Sequence, residues 1–135
     1  MSELKELAAE AKHELLTHII PFWRGMRDDK FGGYYGYLSY DLALDEKAEK
    51  GCILNSRITW FFANAYLLYK DGGISEEECE AAGFKGEDLL AEAKHGYEFL
   101  REHCIDKEYV GIFWSLNYDG TPLDTTKHTY NQAFC

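Results

Sequence analysis

The stretch Gly51–Tyr69, GCILNSRITWFFANAYLLY, constrains the fold more than any other part of this chain. Leu54, Ile58, Phe61, Phe62, Ala65, Leu68 and Tyr69 recur at steps of three and four, which predicts a helix with one broad apolar face. Trp60, Ala63, Tyr66 and Leu67 make much of the opposite face apolar as well. A helix that is apolar nearly all round belongs inside a protein. Arg57, set in its first turns, is therefore either paired with a carboxylate in the interior or aimed into a cavity.

Two further long helices are expected around it. Leu4, Leu7, Ala8, Ala11, Leu15 and Ile19 share one face of an amphipathic helix over Ser2–Ile20, which Pro21 should end because the residue before a proline avoids the α region. Phe22–Lys30 then reads as a connector. Glu87–His103 gives the other helix, with Leu90, Ala93, Tyr97, Leu100 and Cys104 as its buried stripe and Leu89 and Phe99 beside it. The acidic, glycine-punctuated stretch Lys70–Gly86 reads as a surface connection. It holds one short helix, Ser75–Ala82, with Ser75 and Glu78 spaced for a capping box.

The remaining segments repeat each other. Gly33–Asp41, GYYGYLSYD, aligns with Gly111–Asp119, GIFWSLNYD, at a constant offset of 78 residues. Both alternate aromatic with small or polar residues, the period-two pattern of a strand or hairpin. Each is followed by a polar connector, a lysine (Lys50, Lys127) and the start of an aromatic-rich helix. The unit is outer helix, aromatic hairpin, inner helix, and such units need neighbours to bury their faces. Because Tyr130, Ala133 and Phe134 open what reads as another buried helix, residues 1–135 are expected to be the N-terminal portion of a single larger helical domain, truncated near Cys135.

Composition excludes several functions. With 14 Lys+Arg against 24 Asp+Glu the formal net charge is −10, which repels phosphate backbones, so no nucleic-acid partner is expected. No apolar run is long enough to span a membrane. The four cysteines form no C-x-x-C pair and no secretory leader precedes them, so reduced thiols in a cytoplasm are the simplest account. His13 and His18 are five apart, the wrong spacing for a same-face metal pair, and no metal is expected. The aromatic content of 16% is high for a small helical domain and suits carbohydrate, whose C–H faces pack on flat rings.

Four motifs carry a family resemblance that covers essentially the whole chain. HIIPFW (His18–Trp23), RDDKFGGYYGYLSYD (Arg27–Asp41), NSRITWFFANAY (Asn55–Tyr66) and DTTKHTYNQAF (Asp124–Phe134) resemble the N-terminal part of the cellobiose 2-epimerase branch of the N-acylglucosamine 2-epimerase family. Lys70–Gly86 is the main stretch with no clear counterpart there. The resemblance implies an all-α fold, the N-terminal part of an (α/α)6 barrel with short β-hairpins between helices. It implies inversion at C2 of the reducing-end glucose of a β-1,4-linked disaccharide, with no cofactor and no metal. Arg57 matches the family arginine at the sugar oxygens of the reacting end, and Tyr130 matches a cleft tyrosine. His128 and Asn131 flank that tyrosine and could support it, and Trp60 and Trp114 could stack on sugar; packing is the alternative role for each. The family's acid/base histidine pair is expected beyond Cys135. The competing expectations are an N-acylglucosamine 2-epimerase or aldose–ketose isomerase of the same family, a barrel glycoside hydrolase built on paired carboxylates, and a non-catalytic sugar-binding protein. Oligomeric state is not legible.

Overall fold

The computed structural model describes residues 2–135. Among the described residues, six α-helices are joined by turns and one small sheet: α1 Glu3–Glu14, α2 Ile20–Gly25, α3 Cys52–Lys70, α4 Glu76–Ala81, α5 Gly86–Phe99 and α6 Thr129–Phe134. π-helical turns, Leu15–Ile19 and Leu100–Cys104, follow α1 and α5. The sheet pairs β1 Lys50–Gly51, β2 Ser115–Leu116 and β3 Pro122–Asp124 antiparallel in that order.

α3 forms over the apolar stretch expected to be helical, and α5 is its principal partner. Ile58, Phe62 and Ala65 of α3 meet Leu89 and Ala93 of α5 in one core with Tyr34, Ile20 and Leu16. Gly96 allows the close approach, since a Cβ there would lie 2.1 Å from the Thr59 hydroxyl. Tyr34 stacks on Phe62 with ring centres 5.9 Å apart, and its hydroxyl sits 3.0 Å from the Glu92 carbonyl and 3.1 Å from the Glu92 carboxylate. Burial and the negative Glu92 push the Tyr34 hydroxyl far above its usual range, so it stays a proton donor.

Several expectations are corrected. The first helix does not stop at Pro21 but runs to Gly25. The π turn before it carries an Ile20 N–H to Leu15 C=O bond, and this widened turn accommodates a proline that has no N–H to offer. No residue of α1 is buried; Leu16 and Ile20 make the inward contact instead. The stripe of α5 is rotated, with Leu89, Glu92, Ala93, Gly96 and Phe99 buried and Tyr97 exposed. Glu92 can face inward because Arg24 (3.4 Å) and Arg27 (3.3 Å) meet its carboxylate there. Lys70–Gly86 is more than a surface connection, because Ile74, Cys79 and Phe84 enter the core while Ser75 and Glu78 form the expected capping box. The outer face of α3, with Trp60, Leu67 and Leu68, is exposed, as are Tyr130 and Phe134 of α6.

The aromatic repeat is real, but its first copy is not a strand. Phe31–Asp41 forms turns held by isolated bridges, Arg27 with Tyr34 and Leu38 with Leu44. Each copy is instead organised by an aspartate and a lysine. Asp28 Oδ1 accepts from the Lys30 and Phe31 N–H groups, and its Oδ2 lies 2.5 Å from Lys50 Nζ. Asp106, 78 residues on, accepts from Glu108 and Tyr109 N–H groups and lies 2.6 Å from Lys127 Nζ. β1 of the first copy pairs with β2 of the second, Lys50 opposite Leu116, which fixes the two units side by side.

Both aspartates titrate below their ordinary range. Burial raises the Asp28 value, but Lys50 and the two backbone donors outweigh it; Lys127 and the Tyr109 and Glu108 N–H groups take Asp106 to about 2. A depressed carboxyl contributes stability that is complete above the unfolded value of about 3.9 and drains away below it. Acid unfolding followed by circular dichroism is therefore expected to begin below about pH 4, and Asp106→Asn should flatten the pH dependence between about 4 and 2.

The repeat also exposes two strained positions. Val110 (φ 62°) and Leu42 (φ 64°) are left-handed, and their counterparts at the 78-residue offset are Gly32 (φ 81°) and Gly120 (φ 86°). A side chain in that region costs about 1–2 kcal/mol, and glycine's extra unfolded freedom returns about half of it. Val110 and Leu42 are both exposed, so little packing is lost on truncation. Val110→Gly should stabilise by about 0.5–1 kcal/mol in denaturant melts, with Leu42→Gly similar.

Candidate functional site

Arg57 leaves the exposed side of α3, and among the described residues it makes no ion pair and no hydrogen bond. Its guanidinium carbon stands 5.8 Å from the centre of the Phe134 ring. Arg57 is exposed, and among the described residues it is not paired with an interior carboxylate. Two clefts meet at it. One, of about 350 Å³, lies between Trp23, Ile53, Leu54, Phe61 and Tyr130. The other, of about 590 Å³, lies between Ser56, Trp60, Phe61, Ala133 and Phe134.

Tyr130 reaches the first cleft from the opening turn of α6, 56% exposed and edge-on to Phe134 at 4.9 Å. Its hydroxyl has no hydrogen-bond partner among the described residues and is free to donate to a ligand. The position of α6 is set by four hydrogen bonds. Asn131, fully buried, donates from Nδ2 to the Phe113 carbonyl at 2.7 Å. Gln132 accepts from the Ile112 N–H (2.7 Å) and donates back to the Ile112 carbonyl (2.8 Å). The Ser56 hydroxyl donates to the Phe134 carbonyl, tying α6 to α3 one residue from Arg57.

The other sequence candidates divide. Trp60, 69% exposed, borders the larger cleft beside Arg57. Asn131 supports α6 and does not line either cleft. His128 stands at the N-cap of α6 and packs edge-on against Trp114 at 4.7 Å; neither lines the clefts. Below them Asp124 is held acidic by the Thr126 hydroxyl and N–H and by His128. Trp23 and Ser56 were missed as cleft residues. Trp23 was hidden by taking Pro21 as a helix end, and Ser56 acts through the Phe134 carbonyl 78 residues away, which no local pattern reports.

The lining of the two clefts is apolar apart from Arg57, Ser56, the Tyr130 hydroxyl and the Trp23 and Trp60 indoles. No histidine and no carboxylate is among their lining residues. His95 and His103 are tied to the Gly33 (2.8 Å) and Gly120 (3.2 Å) carbonyls, and His18 to Glu14 (2.9 Å). What Arg57 and Tyr130 offer a ligand is hydrogen-bond donors: a planar fork of N–H groups and a hydroxyl at the mouth. Among the described residues no cluster of His, Cys, Asp or Glu is arranged to hold a metal ion, and no helix is long and apolar enough to cross a membrane.

An arginine and a tyrosine placed to grip oxygens beside exposed aromatic rings invite comparison with sugar enzymes. The cellobiose 2-epimerase of Ruminococcus albus is 50% identical to this chain over 128 residues, 95% of the chain and 29% of that protein. The cellobiose 2-epimerase of Eubacterium cellulosolvens is 52% identical over 121 residues, 90% of the chain and 26% of that protein. The solved structure of cellobiose 2-epimerase from Bacillus thermoamylovorans B4167 superposes with a TM-score of 0.83 at 39% identity, over 96% of this chain and 30% of that one. The expected all-α, (α/α)6-type arrangement agrees with that superposition. This chain thus spans about 29% of the length of relatives such as the Ruminococcus albus protein. The sequence profile described as N-acylglucosamine 2-epimerase (GlcNAc 2-epimerase) matches residues 33–135, and this places the chain in the N-acylglucosamine 2-epimerase family.

Proposed function

We propose that this chain is the N-terminal third of a single-domain epimerase that inverts C2 of the reducing-end glucose in a β-1,4-linked disaccharide such as cellobiose. The observation that carries the reading is the unpaired Arg57 guanidinium and the unpartnered Tyr130 hydroxyl converging on one cleft. The names of the relatives support the disaccharide class. The chemistry removes a proton next to the open-chain carbonyl and returns it to the opposite face. No net oxidation occurs, so the reaction itself calls for no redox cofactor. Negative charge develops on the enediolate oxygens, where Arg57 stabilises it and Tyr130 donates to a neighbouring oxygen. The proton is moved by groups that titrate near neutrality, for which a histidine pair beyond Cys135 is suited. Such a protein works in the cytoplasm, on free sugar.

The test is product analysis. The protein at full family length, incubated with cellobiose, is expected to yield glucosyl-mannose by carbohydrate chromatography, while residues 1–135 alone yield none. Release of glucose would replace the reading with hydrolysis. Turnover of N-acetylglucosamine or free mannose with cellobiose untouched would move it to another activity in the family.

A further inference from the structure

We infer that Trp23 is a substrate-binding residue, the flat wall on which a sugar's C–H face packs while Arg57 holds its oxygens. This deepens the epimerase reading and rests on it for the identity of the ligand. The small cleft has three polar groups that can face a ligand: the Arg57 guanidinium, the Tyr130 hydroxyl and the indole N–H of Trp23. Ile53, Leu54 and Phe61 make the rest of the lining apolar. A sugar ring has the matching character, hydroxyls round its edge and C–H groups on its faces, and an aromatic wall is what an otherwise polar ligand needs in order to bury a face.

Trp23 is set in place by the feature that misled the sequence reading. An α-helix turns by about 100° per residue, and a π turn inserts one residue, so Leu15–Ile19 resets the phase of everything after it. Ile20 then faces the core at 0% exposure, and Trp23, three residues on, borders the cleft at the end of α2. Phe22 braces the indole edge-on at 5.0 Å and 84°, and the ring packs partly on the core, so its plane is fixed before a ligand arrives. A preset ring costs no ordering entropy on binding.

Trp23→Phe keeps a flat ring and Trp23→Leu keeps apolar bulk without one. In the full-length protein with cellobiose, the Leu variant is expected to raise KM about five- to tenfold with kcat within about threefold of the parent, and the Phe variant to stay within about threefold in KM. A melting temperature measured for each variant separates folding from binding. Intrinsic fluorescence adds a readout independent of turnover: cellobiose should change the emission of the parent, and Trp23→Phe should remove most of that change. An unchanged KM in a folded Leu variant, or a sugar-dependent emission change of undiminished size in Trp23→Phe, overturns the assignment. If the parent binds cellobiose through Trp23 but does not epimerise it, the proposed reaction fails while the role of Trp23 stands. If it neither binds nor converts sugar, both fall.

Discussion

Replacing Lys50 with methionine is expected to destabilise the protein by about 3–5 kcal/mol, the largest stability loss of any single substitution considered for this chain. Lys50 and Asp28 are at most 1% exposed, and the ammonium satisfies both the Asp28 carboxylate at 2.5 Å and the Gly32 carbonyl at 2.7 Å. It also lies 5.2 Å from the Phe99 ring, where the π face adds attraction. Removing the cation leaves a carboxylate in the interior with two backbone donors and no counter-charge, and an uncompensated buried charge costs far more than a lost surface pair. The double variant Asp28→Asn, Lys50→Met should recover part of the loss, because no net charge remains buried. The second copy of this pair, Asp106 and Lys127, is more open, with 29% of the lysine side chain accessible, so Lys127→Met should cost less. Urea unfolding of the four proteins measures the order; equal losses at Lys50 and Lys127 would mean that burial does not set the penalty.

Arg57→Ala is expected to lower kcat/KM of the full-length protein by about 10²–10³ without lowering its melting temperature. The split follows from the structure. No carboxylate and no hydrogen bond ties Arg57 to the fold among the described residues, so removing it costs the fold little. The expected loss at the transition state is large, because on the proposed reading the guanidinium faces the oxygens on which negative charge develops. Arg57→Lys should recover only a minor part, since an ammonium cannot hold two oxygens in one plane. A fall in melting temperature that accounts for the lost activity would make Arg57 a structural residue.

How much of this was legible in the residues depended on which force governed each segment. α3 and the capping box at Ser75 were readable because long apolar periodicity and local hydrogen bonding decide them. The stripe on α5 is rotated from the one apolar periodicity predicts, because two arginines on α2 and the turn after it make the burial of Glu92 possible. The aromatic alternation of Phe31–Asp41 resembled a strand, yet Asp28 and the left-handed Gly32 and Gly33 fold it into turns. The signal that would have found those turns was present: aspartates at 28 and 106 keep the same 78-residue offset as the aromatic blocks. Arg57 stood out as a lone cation in an apolar helix. Trp23 did not, since a proline two residues before it argued for a loop, and only the π turn shows that the helix continues. Ser56 and the polar anchors of α6 pair across more than 15 residues, a distance no local pattern reports.

Whether this segment holds the oxygens of a sugar while a proton is taken from and returned to C2 is read by incubating the full-length protein with cellobiose in heavy water and locating the label by nuclear magnetic resonance. Deuterium is expected at C2 of the epimerised sugar, with the rate of its entry reduced in Arg57→Ala. Epimerised product with hydrogen retained at C2 and no solvent label, or no exchange and no product at all, would contradict the proposed reaction.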